Sequence, residues 1–251
     1  MTATITALEI EETLTAQRDE EKRKVLMRFF RTGAGQYGEG NEFLGIKVPQ
    51  TRSVVKEAKR CVPFYEIAKL LHNRWHEVRL AGFLLLVEEM NAALPVRGKD
   101  STERVARRKE IADFYLAHAR QANNWDLVDL SAPKVIGAYL YYSATPDYTL
   151  LTRLAESDNL WEQRISIVST LYLIQQRVHK PALILADKLI AHPHDLIHKA
   201  IGWMLREVGK RDKELLIDFL EENYNRLPRT SLRYAIERFP EKERLYWLKR
   251  P

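Results

Sequence analysis

The chain has 251 residues, 45% hydrophobic and 29% charged, which is enough apolar material for a substantial core and too much for a disordered polymer. Its longest apolar stretches, such as Leu80–Val87, fall far short of the roughly 20 residues that span a bilayer, and no basic-then-apolar leader opens it, so a soluble, cytoplasmic protein is expected. Forty Lys and Arg against 34 Asp and Glu give +6, and the single cysteine, Cys61, excludes an internal disulfide and a Cys-rich metal site.

In chain order, apolar residues recurring at three and four spacing predict helices at 6–32, 50–60, 63–73, 75–92, 101–120, 125–140, 147–156, 160–178, 181–191, 195–209, 212–225, 229–238 and 240–249. Pro63, Pro181 and Pro240 stand at first-turn positions, and Asp147, Asp195 and Asp212 lie near helix beginnings, where an acid complements the dipole. No strand pattern interrupts them, so the expected fold class is all-α. Charge is uneven along this series. Residues 1–21 hold six acids and one base, a local −5, which leaves +11 on the remaining 230 residues. Such an excess suits a polyanion, because each neutralised phosphate releases counterions, although a merely basic protein gives the same arithmetic.

Several of the helices share a faint pattern. Glu77-Val-Arg79, Glu162-Gln-Arg164 and Ile197-His-Lys199 each open a mostly apolar run, and Trp125-Asp-Leu-Val-Asp129 matches Trp75-His-Glu-Val-Arg79 if Asp129 takes the basic slot. The slots at 79, 129, 164 and 199 step by 50, 35 and 35 residues, bracketing the length of a HEAT-type helical hairpin. Stacked hairpins would line a concave face with Arg79, Asp129, Arg164 and Lys199; a compact helical bundle is the alternative.

Gly33-Ala-Gly-Gln-Tyr-Gly38 formally fits a dinucleotide fingerprint but follows a helix rather than a strand, so it reads as a connection. His72 with His76, and His194 with His198, are each four apart, which on a helix sets them on one face. Neither pair has the His-Glu-x-x-His arrangement, and basic neighbours such as Arg74 and Lys199 oppose a cation, so no metal is expected. Cys61 has no His close by, and no Gly-x-Ser-x-Gly anchors a serine nucleophile.

Asn124-Trp125-Asp126-Leu-Val-Asp129 is the less ordinary motif. Trp125 and Asp129 are four apart, so a helix presents indole and carboxylate side by side. The bland reading pairs Asp129 with Arg164. Trp203 lies four after Lys199 and three before Arg206, again an aromatic among cations, as in sites that hold a sugar or base while cations hold phosphate. A carboxylate in such a cradle matches the positive charge that develops when an N-glycosidic bond breaks.

At Phe43-Leu-Gly-Ile-Lys-Val-Pro49, Trp125-Asp-Leu-Val-Asp129, Asp158-Asn-Leu-Trp161-Glu-Gln-Arg164 and Lys199-Ala-Ile-Gly-Trp203-Met-Leu-Arg206-Glu207, the chain resembles the AlkD-like family of DNA alkylation repair proteins, HEAT-like repeat DNA glycosylases. The resemblance implies a right-handed solenoid of HEAT-like helical hairpins holding duplex DNA, and cofactor-free hydrolytic excision of cationic N3- and N7-alkylpurines, the first step of base excision repair. It implies Asp129 as catalytic carboxylate, Trp125 and Trp203 against the deoxyribose, and Arg164 on a phosphate. Arg206 also falls on a basic position facing DNA. Phe29-Phe30 stand where the family often has a tyrosine.

The resulting expectation is a single domain over 1–251, with an N-terminal helix and Gly-rich loop at 1–42 and a repeat array at 43–251. It is a monofunctional glycosylase, monomeric and nucleoid-associated, in which Lys199 and Arg206 add backbone attraction with Arg79, Lys47 and Arg52. The rival is a non-catalytic helical-repeat module that binds DNA structure or a protein partner.

Overall fold

The computed structural model describes residues 4–250, and the chain divides between Val135 and Ile136 into two compact units. Described residues outside the helices form only isolated bridges, Glu42 with Trp75 and Val96 with Lys99, so the fold is all-α as expected. No described helix is long and apolar enough to cross a membrane.

In the first unit, α1 (Ala7–Thr15) opens with a capping box in which Thr6 and Glu9 bind each other's backbone N–H. Ala7, Ile10 and Leu14, at helical spacing, are its buried face. The single helix expected over 6–32 is in fact broken. Asp19 accepts the Lys22 N–H at 3.0 Å and starts α2 (Glu20–Phe29), while its own N–H donates to the Leu44 carbonyl at 3.0 Å. Between Leu14 and Val25 the only apolar residue is Ala16, so no buried stripe holds those turns together and the cap at Asp19 decides.

The chain continues through α3 (Val48–Ala58), α4 (Phe64–Leu71) and α5 (His76–Ala93), with Pro49 and Pro63 at the starts of the first two. Every residue from Trp75 to Val87 is buried, which explains why α5 has no polar face: α1, α3, α4 and α6 (Thr102–Ala117) all pack on it. The loop before α6 is held by Arg108, which is 1% exposed and binds Asp100 through both terminal nitrogens and the Ala93 carbonyl. Asn124 caps α7 (Trp125–Ala132), which also rests on α5. At Pro133, which has no N–H to give, the helix widens into a π-helical stretch over Pro133–Gly137.

The second unit runs α8 (Ala138–Tyr141), α9 (Thr149–Ala155), α10 (Leu160–Gln175), α11 (Lys180–Lys188), α12 (Asp195–Gly209), α13 (Lys213–Asn223), α14 (Arg229–Ala235) and α15 (Glu241–Lys249). Here α10 packs on α9 and α12, and α12 on α11, α13 and α14, a stack of helical pairs in sequence order. Two joints are close: an added Cβ at Gly137 would lie 2.3 Å from the Ser169 carbonyl oxygen, and one at Gly202 would lie 2.5 Å from that of Ser231.

Candidate active site

A cavity of the first unit, about 450 Å³, is assembled from four pieces distant in sequence: the end of α2, the segment 43–49, and the first turns of α5 and of α7. Glu77 organises the segment 43–49. Its buried carboxylate accepts the backbone N–H of Leu44 at 2.9 Å, Gly45 at 2.9 Å and Ile46 at 3.1 Å, closing a turn that would otherwise bury three unpaired donors. Only glycine suits the centre of that turn, because Gly45 has φ +90° and a Cβ there would sit 2.1 Å from the Asp19 carbonyl oxygen. The same contact sets α2 against the turn. Glu42, just before it, accepts the His76 N–H at 2.7 Å.

Aromatic rings form the wall. Trp125 stacks on Phe30 with centroids 5.1 Å apart, Phe30 stacks on Phe43 at 5.1 Å, and Phe29 meets Trp125 edge-on at 5.8 Å. Phe29 is 61% exposed and marks the rim. Asp129, one turn beyond Trp125, lines the same cavity and is half-buried, as the four-residue spacing requires. Burial, helped by the charge of Asp129, holds the Tyr115 phenol well above its usual range, against the opposing effect of its hydrogen bond with Ser131.

Beneath the rings lies a buried polar cluster. His76 Nε2 meets Asp126 Oδ2 at 2.8 Å, and the imidazole stacks on Phe43 at 4.4 Å. Asn41 Oδ1 faces His76 Nδ1 at 3.4 Å and accepts from Arg79, whose guanidinium also binds the Asn73 and Arg74 carbonyls at 2.8 Å. Burial pushes Arg79 down to about 10, partly offset by the charges of Asp126 and Glu77. Arg79 is thus a buried brace, 4% exposed and bound to the carbonyls of the turn before its helix, rather than an exposed side chain on an open face. Lys47 and Arg52, by contrast, are exposed, and Lys47 borders the cavity.

The profile of the DNA alkylation repair enzyme family matches residues 10–239. The chain belongs to that family. A solved structure of a predicted DNA alkylation repair enzyme from Enterococcus faecalis resembles this repair-family chain over 89% of its length and 97% of the other's, with a TM-score of 0.66 and 16% identity, a likeness of fold alone. Among curated proteins none matches.

Other expected site residues of this repair-family protein lie in its second unit. Trp203 is half-buried on α12. Lys199 pairs with Asp195 at 2.7 Å, and Arg206 with Glu237. Arg164 is 5% exposed and donates to the Leu196 carbonyl at 2.5 Å, so it braces the start of α12 much as Arg79 braces the start of α5. The histidine pairs are also not what spacing implied. His72 and His76 flank the turn between α4 and α5 rather than sharing a helix face, and His194 caps α12. The sequence reading missed His76–Asp126 and Glu77, whose partners lie 50 and more than 30 residues away. The only local hint was Asp126 inside the Trp125–Asp129 motif.

Proposed function

We propose that this DNA alkylation repair family member is a monofunctional glycosylase that hydrolyses the N-glycosidic bond of cationic N3- and N7-alkylpurines in duplex DNA. The observation that carries this reading is Trp125 and Asp129 one turn apart on the wall of an aromatic cavity. As the C1′–N bond breaks, its electron pair neutralises the departing cationic base and positive charge appears on the sugar. The Asp129 carboxylate stabilises that charge and takes a proton from the water whose oxygen bonds to C1′. The indole of Trp125 presents an electron-rich face to the sugar, and Trp203 is assigned a second such contact.

Exposed Lys47 and Arg52, with Lys199 and Arg206, hold phosphates; Lys199 and Arg206 exchange Asp195 and Glu237 for DNA as they do so. Arg164 acts through the α12 terminus that it braces. The cation needs no acid to leave, which is why the scheme calls for no metal or cofactor. The proposal includes a monomer working at chromosomal DNA in the cytoplasm.

The test is release of free base from duplex DNA containing N7-methylguanine, with Asp129→Asn alongside. Release by wild type and a loss of at least about 100-fold in the variant, with duplex affinity retained, supports the assignment. Equal losses in rate and affinity remove the catalytic role of Asp129. No release by wild type, with tight salt-sensitive binding, replaces the glycosylase by a DNA-binding helical-repeat module.

A further inference from the structure

His76 is the first residue of α5 and touches every piece of the cavity without reaching its mouth. Its N–H is bound to Glu42, Nε2 lies 2.8 Å from Asp126, Nδ1 faces Asn41, and its ring contacts both Phe43 and Phe30 at 4.4 and 5.3 Å. The ring is 2% exposed and Asp126 6%. Asn41 donates its amide to the Gly38 carbonyl at 3.1 Å, which leaves its oxygen toward His76 and Arg79. The imidazole is therefore flanked by two oxygen acceptors and packed against rings, with one orientation open to it.

Asp126 sits between Trp125 and Asp129 in the first turn of α7. Whatever fixes Asp126 fixes the rotation of that turn, and the indole and the carboxylate move together with it. We propose that His76, acting through Asp126, is the positioning residue that holds Trp125 stacked on Phe30 and keeps Asp129 on the cavity wall. The consequence for rate rests on the glycosylase reading; the consequence for the indole does not.

The test uses the full chain with 15N-labelled tryptophan. The Trp125 indole resonance is assigned by Trp125→Phe, and His76→Leu, His76→Gln and the double variant His76→Leu/Asp126→Leu are compared with wild type. His76→Leu alone strands a buried carboxylate and lowers the melting temperature. The double variant removes both polar partners and regains most of that loss. In the double variant the Trp125 resonance shifts or broadens, and single-turnover excision falls by about tenfold or more at unchanged duplex affinity, the cost of a displaced reacting geometry. His76→Gln, which keeps an Nε2–H for Asp126, returns both readouts toward wild type. An unmoved indole resonance in the double variant overturns the proposal, as does a moved resonance with an unchanged excision rate. If wild type releases no base, the glycosylase reading falls and the indole resonance alone decides the positioning role.

Discussion

Replacing Glu77 by alanine strands three buried N–H groups, those of Leu44, Gly45 and Ile46. An orphaned buried donor costs about 1–3 kcal/mol, so the three together cost about 3–9 kcal/mol. That is a large share of the roughly 5–15 kcal/mol that keeps a domain folded. Glutamine separates this account from simple loss of volume. Oε1 of Glu77 serves Gly45 and Ile46 while Oε2 serves Leu44, so a glutamine carbonyl in the Oε1 place keeps two donors paired and turns its NH2 against the third. Its cost is that of one lost acceptor, about 1–3 kcal/mol. Urea denaturation followed by circular dichroism gives the ranking, and hydrogen exchange at the three amides gives its location. A Glu77→Ala protein within about 0.5 kcal/mol of wild type, the scale of an ordinary surface change, refutes the reasoning.

Two further outcomes are expected. His194 Nδ1 accepts the Leu196 N–H at 3.1 Å and His192 Nδ1 accepts the His194 N–H at 3.0 Å, so both rings work unprotonated at these atoms. Burial, then neighbouring positive charge, holds His192 below its ordinary 6.5; burial also leads for His194, against the pull of Asp195. A depressed base lets the unfolded chain bind more protons, so this stability is complete above pH 6.5 and is lost as pH falls through the folded values. His194→Asn keeps a capping side chain and removes one titration; its urea midpoint falls less between pH 7.5 and pH 5.5 than that of wild type, and an identical fall defeats the argument. Arg79→Ala and Lys47→Ala part the two kinds of cation. The first costs about 1–3 kcal/mol for each buried acceptor left without its donor, the Asn73 and Arg74 carbonyls and Asn41 Oδ1, with no change in the salt dependence of DNA binding. The second leaves stability alone and lowers the salt slope by about one, and the opposite pattern in filter-binding titrations contradicts the assignment.

Helices with a continuous apolar stripe were legible in the sequence because burial writes itself at 3.6 spacing, and the Trp125–Asp129 pair was legible because both members lie on one turn. The break at Asp19 was not, since it depends on a carbonyl at Leu44 that no local pattern announces. The Glu-x-Arg pattern at 77–79 and 162–164 was visible, but the backbone contacts it makes were not. Arg79 and Arg164 look like a phosphate track when only charge and period are considered, yet each folds inward onto backbone carbonyls at the start of a helix. Their recurrence encodes how one helical pair is pinned to a neighbouring turn. The pairing of His76 with Asp126 spans 50 residues and leaves no trace in periodicity. Composition signalled a basic protein, but only the fold separates the cations that are braces from those that face solvent.

The acids of the N-terminal segment have a kinetic meaning. α1 carries Glu9, Glu11 and Glu12 and no base, and two of these acids are anchored, Glu9 in the capping box and Glu11 on the Asn73 amide at 2.7 Å. Their charge is therefore fixed in place rather than carried on a loose tail. A polyanion diffusing toward the chain is repelled by this helix and drawn by the surplus cations elsewhere, so its approach is biased in direction before any contact forms. The encounter rate, more than the lifetime of the complex, is then what added salt will erode.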